Sequence, residues 1–259
     1  MPRLLLLSLL TLSACTRLTP TLAHVSGRTV EVVEAGAGDV TVVFESGLGN
    51  DWASWDEIAS EVSARARVFA YSRPGYGRSE ASPDPRDARQ LMEDLRALLT
   101  ARGIPPPYVL VGHSFGGAYL ELFAKAHPEE VAGLVLLDPR HRDFTVRCEE
   151  AGLAGCSLSA AMVASLPKVQ IAEFEAFART SEEMGAAGPF GKYPVRVLTA
   201  TVHGWAPEVE TLWESLHASL AAEAADGEQR LFPGAGHNLQ VERPHDVAQV
   251  ILSLVPAPG

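Results

Sequence analysis

The sequence predicts an α/β fold in which a mostly parallel central sheet is flanked by helices. Short apolar runs rich in β-branched residues alternate with segments of helical periodicity, as repeated strand–helix units require. The clearest runs lie at 40–45, 108–112 and 131–137, and polar or glycine-rich residues follow each of them. The alternation stops between 139 and 193, so that stretch is predicted to be an inserted cap built from short helices.

The predicted core comprises residues 28–138 and 194–259. Alternating polar and apolar residues at 28–34 predict an edge strand, whereas the continuous apolar run at 40–45 predicts a buried one. The other core elements before the cap, besides the strands at 108–112 and 131–137, are a helix at 51–66, a strand at 67–71 and a helix at 88–101. After the cap, the pattern predicts a strand at 195–200, a helix at 209–222, a strand at 229–232 and a closing helix at 244–255.

The N-terminal residues have the pattern of an export signal. Arg3 precedes an apolar run that ends in Leu12-Ser13-Ala14-Cys15, which resembles the lipobox of bacterial lipoproteins. The resemblance implies a signal peptide at 1–14 and a lipid on Cys15. The protein would then be exported and anchored at a bacterial membrane, in the periplasm or on the outer face, with 15–27 as a tether. The alternative is an unprocessed apolar leader with an incidental cysteine.

Two further cysteines agree with export. Cys148 and Cys156 form an even pair, and an oxidising compartment would allow them to form a disulfide. A metal site is less plausible, because no other cysteines or paired histidines lie nearby in the sequence. We therefore expect a disulfide here and no metal.

Ser114 occupies a glycine-flanked turn between a predicted strand and a predicted helix. In a G-x-S-x-G turn the small residues two positions before and after the serine let strand and helix approach each other closely. Gly112 and Gly116 fill those positions. The turn would expose the Ser114 hydroxyl and direct the Phe115 N–H at a carbonyl oxygen under attack. An ordinary glycine-rich turn is the alternative.

Three other segments are predicted to meet Ser114 at the carboxyl edge of the sheet, where open α/β sheets bind ligands. Ser46-Gly47-Leu48-Gly49 follows a buried strand, and the Leu48 N–H is a candidate second oxyanion donor. Asp138 ends the strand at 131–137, and His237 follows the last strand. These residues suggest a nucleophile, a base and an acid.

With these motifs in place, the chain resembles the α/β-hydrolase family from about Arg28 to Val255. The motifs that carry the resemblance are the serine turn, SGLG at 46–49, SRPGYGRS at 72–79 and GAGHNLQVERP near the end. The family order is serine, then acid, then histidine. The resemblance implies that Ser114 and His237 are catalytic and that the loop at 72–79 is structural.

The acid is where the sequence departs from the common family pattern. Many members carry it after the strand that here is 195–200, but no carboxylate follows that strand before Glu208 and Glu210. Other members carry it at the end of the preceding strand, where Asp138 stands. We prefer Asp138 and keep Glu208 and Glu210 as alternatives. A loop-capping aspartate before a proline is the competing interpretation of Asp138.

The resemblance implies a serine hydrolase that cleaves a carboxylic ester or related acyl bond of a small molecule through an acyl-enzyme. It implies no cofactor, and a serine at this turn argues against epoxide hydrolases, which use an aspartate there. A C–C hydrolase, a cofactor-free perhydrolase and a non-catalytic membrane-tethered binding protein remain alternatives. The net charge of −11 argues against nucleic-acid binding. The sequence leaves the oligomeric state open.

Overall fold

The core is one eight-stranded sheet in a computed structural model that describes residues 18–256. The strands lie in the order β1-β2-β4-β3-β5-β6-β7-β8. Both pairings of β2 are antiparallel, and every pairing from β4 across to β8 is parallel. The α/β class and the mostly parallel sheet are therefore confirmed. The strands are β1 (Thr21–Val25), β2 (Arg28–Ala35), β3 (Thr41–Glu45), β4 (Arg67–Tyr71), β5 (Tyr108–His113), β6 (Val131–Leu137), β7 (Val195–Ala200) and β8 (Gly227–Phe232).

Helices cover both faces of the sheet. Helices α1 and α9 contact each other, and α3 contacts both α2 and α6. The alternating side chains of the central strands divide accordingly between two large apolar clusters. The helices are α1 (Asp56–Ser63), α2 (Ala88–Ala101), α3 (Phe115–Ala126), α4 (Phe144–Glu150), α5 (Ala160–Ala164), α6 (Lys168–Ala186), α7 (Pro207–Ala222), α8 (Leu239–Glu242) and α9 (Pro244–Ser253). Across residues 18–256, no helix combines the length and apolar character needed to cross a bilayer.

The sheet begins earlier in the chain than the sequence pattern indicated. Residues 21–25, predicted to belong to the tether, form β1 and pair with β2 in the register Thr21↔Val32. Strand β1 is consequently the edge, and residues 28–34 lie one strand further in. The buried Glu31 explains their misleading alternation, because it accepts hydrogen bonds from Ser72 and Arg78 instead of facing water. Cys15 and the predicted signal peptide lie outside the described residues.

The predicted cap region contains α4, α5 and α6. Helix α6 has 19 residues, longer than the short helices expected there. Cys148 of α4 and Cys156 form the expected disulfide, with their Cα atoms 5.8 Å apart. From α6, the rings of Phe174 and Phe177 pack on Phe115 at centroid distances of 6.5 and 4.5 Å. Helix α6 and the serine turn are thus in direct contact.

Parallel pairing brings the key loops to the same edge of the sheet. His113, the last residue of β5, is paired with Leu137, the last residue of β6. Ser114 and Asp138 therefore follow the ends of two neighbouring strands. The loop after β7 starts beside them, since Leu137 is in turn paired with Leu198.

Candidate active site

The backbone of the serine turn is strained at the serine itself. Ser114 has φ 53° and ψ −120° and immediately precedes α3. A Cβ at position 112 would lie 2.7 Å from the carbonyl oxygen of Gly116. A Cβ at position 116 would lie 2.5 Å from the carbonyl oxygens of Glu45 and Ser46. Glycine is required at both flanking positions because backbone atoms occupy the space of a side chain.

Ser114, His237 and Asp138 form one continuous chain of polar contacts. His237 Nε2 lies 3.0 Å from the Ser114 hydroxyl, and His237 Nδ1 lies 2.6 Å from Asp138 Oδ2. An ionised carboxylate only accepts hydrogen bonds, so the proton of neutral His237 belongs on Nδ1. Its Nε2 lone pair then faces the serine hydroxyl. The His237 side chain is 38% exposed, so this end of the chain is open to solvent.

Asp138 is completely buried and accepts several hydrogen bonds. Besides His237, its donors are the Trp213 indole N–H at 2.9 Å, the Ala200 backbone N–H at 3.1 Å and His203 Nε2 at 2.6 Å. Burial alone would raise the pKa of Asp138, but the hydrogen bonds from His203 and His237 outweigh it and hold that pKa well below its usual value. Asp138 is therefore an ionised acceptor at neutral pH.

The two alternative carboxylates do not occupy the position of Asp138. Glu208 is exposed at the start of α7. Glu210 is one step removed from the acid: its Oε2 lies 2.6 Å from Nδ1 of His203, whose Nε2 in turn contacts Asp138. Among the described carboxylates, Asp138 is the one hydrogen-bonded to His237.

Sequence reasoning missed His203 as a component of this site. It stands in the loop after β7, the position where many members of the family carry their acid. A polar side chain at that edge of the sheet was the signal that the sequence offered. His217 lies on the helix predicted at 209–222 and is fully buried, and burial lowers its pKa. Its Nδ1 lies 3.9 Å from Asp138 Oδ1 and its Nε2 lies 2.9 Å from the Pro139 carbonyl oxygen. Helical periodicity alone does not reveal such polar core contacts.

The loop after β3 packs directly on the serine turn. A Cβ on Gly47 would lie 3.2 Å from the Cβ of Ser114 and 2.7 Å from Nδ1 of His113. Leu48, the next residue, is half-buried and packs against the apolar cluster that contains Phe115. The two segments predicted to supply the oxyanion donors are thus in contact with each other.

His113 connects the serine turn to the histidine loop. Its Nε2 lies 2.9 Å from the carbonyl oxygen of His237, so the ring donates there. Burial, together with the neighbouring His237, lowers the pKa of His113 to about 3. A neutral His113 therefore holds the backbone of His237 in place without adding charge.

The cluster of Asp138, His203 and His237 has the residue types of a metal site but not its spacing. Ligand atoms of all three lie within 4.8 Å of one another. However, Oδ2 of Asp138 is 2.6 Å from a nitrogen of each ring. Two ligands of a tetrahedral zinc ion, each at about 2 Å from the metal, lie about 3 Å or more apart. The observed distances fit hydrogen bonds.

Comparison with known proteins identifies related sequences and folds. A family model described as the alpha/beta hydrolase fold matches residues 40–164. The uncharacterised protein YqjL of Bacillus subtilis is 28% identical over 218 residues, which cover 82% of each chain. An epoxide hydrolase mutant from Vigna radiata has a TM-score of 0.69 at 17% identity, covering 92% of this chain and 98% of that one. An esterase from Thermogutta terrifontis has a TM-score of 0.61 at 21% identity, with coverages of 91% and 97%. At these identities the two structures indicate a shared fold alone.

Proposed function

We propose that this chain, which has the α/β-hydrolase fold and matches that family's model over residues 40–164, is a serine hydrolase that cleaves a carboxylic ester or related acyl bond of a small molecule. The carrying observation is the unbroken hydrogen-bonded chain from the Ser114 hydroxyl through His237 to Asp138. Epoxide hydrolases of this fold use an aspartate as nucleophile. The serine at this position therefore favours acyl transfer over epoxide opening.

In the proposed reaction, Ser114 attacks the carbonyl carbon while His237 Nε2 accepts the hydroxyl proton. The leaving alcohol then takes that proton from His237 as the tetrahedral intermediate collapses to the acyl-enzyme. Water repeats the sequence and releases the acid. Ionised Asp138 orients the ring through Nδ1 and stabilises the imidazolium that forms in each half of the reaction.

Backbone N–H groups of Leu48 and Phe115 are proposed to stabilise the oxyanion. Support comes from the close contact between the loop after β3 and the serine turn. The N-terminus of α3 adds to this effect, since the N–H groups of a helix's first turn have no partner within the helix and carry partial positive charge. Such donors are typically worth about 10²–10³ in kcat each.

Ser114→Ala tests the proposal with a fluorophosphonate probe and a panel of acyl esters of graded chain length. Wild-type protein should be labelled and active. The variant should be unlabelled and should lose several orders of magnitude in turnover, because the nucleophile is gone.

Ser157→Ala is the matched control, since that serine lies exposed in the cap. It should keep both labelling and turnover. A folded wild type that is neither labelled nor active would instead identify a non-catalytic binding protein on this fold.

We also propose that the protein is exported and anchored by a lipid on Cys15. The supporting observations are the leader sequence, the LSAC motif and a disulfide of the kind that persists in oxidising compartments. Cys15→Ser should release the protein from membranes without changing its turnover per molecule. Fractionation of cells measures this, and a wild-type protein found free in the cytoplasm would contradict the proposal.

A further inference from the structure

His203 is held between two carboxylates at the acid end of the candidate site. Its Nε2 lies 2.6 Å from Asp138 Oδ2, and its Nδ1 lies 2.6 Å from Glu210 Oε2. The side chain of His203 is 3% exposed, so bulk water does not replace either carboxylate as the partner of a ring nitrogen. Both ring nitrogens therefore face carboxylate oxygens at hydrogen-bonding distance.

Each of these contacts requires a proton between nitrogen and oxygen. Asp138 is already an acceptor for Trp213 and the backbone of Ala200, as an ionised carboxylate would be. Glu210 Oε1 accepts the backbone N–H groups of His203 at 2.8 Å and Trp205 at 3.2 Å. A neutral imidazole has one N–H and would turn its other nitrogen's lone pair towards an acceptor. The imidazolium has two donors and satisfies both contacts.

The aromatic surroundings of His203 also favour a cation. The indole of Trp205 stacks on the ring at 4.3 Å with an interplanar angle of 10°, and the Trp213 ring lies 5.7 Å away. The faces of such rings attract positive charge. Burial disfavours the charged ring, but the hydrogen bonds and charges of Asp138 and Glu210 outweigh it and raise the pKa of His203.

We propose that His203 is a positioning residue that stays protonated on both nitrogens at neutral pH and sets the lower pH limit of the reaction. The His203 and His237 rings are 5.9 Å apart and share Oδ2 of Asp138. A fixed positive charge at that distance disfavours a second one on His237. The kinetic part of this inference rests on the proposed hydrolase function.

Other charged and titratable groups around the ring come from several elements. Asp138 stands at the end of β6, Glu210 on α7 and His237 on the loop after β8. His217 of α7 interacts electrostatically with His203, and its lowered pKa keeps it neutral. Glu242 lies beyond them, accepting the Gly236 N–H beside His237. Within this group, His203 is the ring that has an anionic partner on each nitrogen.

Nuclear magnetic resonance of the full chain, labelled with ¹⁵N at histidine, tests the protonation state without any need for turnover. We expect two downfield N–H protons from His203 at pH 7 that are absent in His203→Gln. Both ring nitrogens should remain protonated above pH 6.5, the ordinary pKa of histidine. One protonated nitrogen at pH 7 would overturn the proposal.

The pH profile of kcat/KM tests the effect on His237. His203→Gln keeps a donor to Asp138 but removes the charge, so the acidic limb should move up by about one to two pH units. Glu210→Gln keeps the ring but removes one of the two anions that retain its second proton, so the NMR titration of His203 should move to lower pH. Glu208→Gln removes the same charge from an exposed position on the same helix and should leave the limb in place.

The outcomes separate this inference from the proposed function. If His203→Gln lowers kcat without moving the acidic limb, His203 is merely structural and the proposal fails. If His203→Gln does not fold, Glu210→Gln decides, because it keeps the ring and must lower the pH at which His203 releases its second proton. A wild type with a doubly protonated His203 but no esterase turnover would instead refute the hydrolase function and leave the imidazolium assignment standing.

Discussion

Ser114 lies between two buried charged networks of opposite design. On the acid side, one aspartate accepts from His237 and His203, and the chain ends at Glu210. On the side of the loop after β3, a single guanidinium, Arg73, is at the centre. It donates to carboxylates of Glu45 and Glu173 and to the carbonyl oxygens of residues 46 and 47. The first network is centred on an anion and the second on a cation.

The two networks differ in what protons can do within them. Histidines change charge within the physiological range, whereas a guanidinium stays charged. On the acid side, His237 can therefore accept and return a proton, which the proposed base catalysis needs. Arg73 instead supplies fixed donors that hold the backbone of Ser46 and Gly47 next to the serine turn. One network governs protonation and the other governs geometry.

The networks also differ in which part of the chain builds them. Asp138, His203 and Glu210 come from the ends of β6 and β7 and from α7, close to the sheet. Glu173 comes from α6 in the cap and accepts from Arg73, Arg86 and the Tyr76 hydroxyl. Burial opposes ionisation of Glu173, but Arg73 and Arg86 outweigh it and lower its pKa. A buried ion cluster thus links α6 to β3 and to the loop that follows β4.

Breaking the acid side should have the largest effect. Asp138→Asn should lose at least two orders of magnitude in turnover, on a scale of about 10⁴ for comparable serine enzymes. The asparagine amide turns a donor towards rings that themselves donate, so His237 loses its orientation and its charge stabilisation. Steady-state hydrolysis of a short-chain ester measures the loss, with folding checked by circular dichroism.

Glu208→Gln is the control for Asp138→Asn and should lose less than tenfold. A folded Asp138→Asn enzyme with nearly wild-type turnover would show that the acid is elsewhere.

Disrupting the network around Arg73 should reduce the stability of the folded protein more than the rate of the reaction. Glu173→Gln leaves Arg73 and Arg86 without their shared carboxylate, and an unbalanced buried charge typically costs about 3–5 kcal/mol. We expect a loss of that order in the free energy of unfolding, measured with urea, and a raised KM because α6 is loosened.

Glu175→Gln is the matched control for Glu173→Gln, since it removes an exposed charge two residues along the same helix. If both variants unfold at the same urea concentration, the ion cluster does not hold α6 in place.

The smallest expected effect is the loss of folding stability that buried histidines cause at low pH. Burial lowers the pKa of His141 to about 3. Between about pH 6.5 and that value, the unfolded chain therefore binds a proton at His141 that the folded protein does not bind. Stability should therefore fall as pH drops from 6.5 towards 3, by about 1.4 kcal/mol per pH unit for each such histidine.

His141→Gln should flatten that slope by the contribution of one proton, measured by urea unfolding at pH 7, 6 and 5. The glutamine oxygen can replace the ring nitrogen that accepts the Asp143 N–H. An unchanged slope would show that His141 is already charged in the folded protein.

The sequence by itself determined the α/β class and the strands from β2 to β8, including those that end at the carboxyl edge of the site. Apolar runs and helical periodicity depend on short stretches of chain, so α2 and α3 were predicted from local pattern. The serine turn was equally local, because backbone contacts impose Gly112 and Gly116 within a few residues of Ser114. The preference for Asp138 followed from its place at the end of a buried strand.

Only the tertiary structure decided which distant side chains meet. Strand β1 was missed because this short segment becomes a strand only through its antiparallel pairing with β2. The pairing of Glu210 with Asp138 through His203, and of Arg73 with Glu173 across 100 positions, has no signature in local periodicity. Burial then sets the protonation of these groups, because desolvation and partner charges depend on every element packed around them. The sequence specifies which charged residues are present, but the tertiary structure decides which of them lie close enough to form ion pairs.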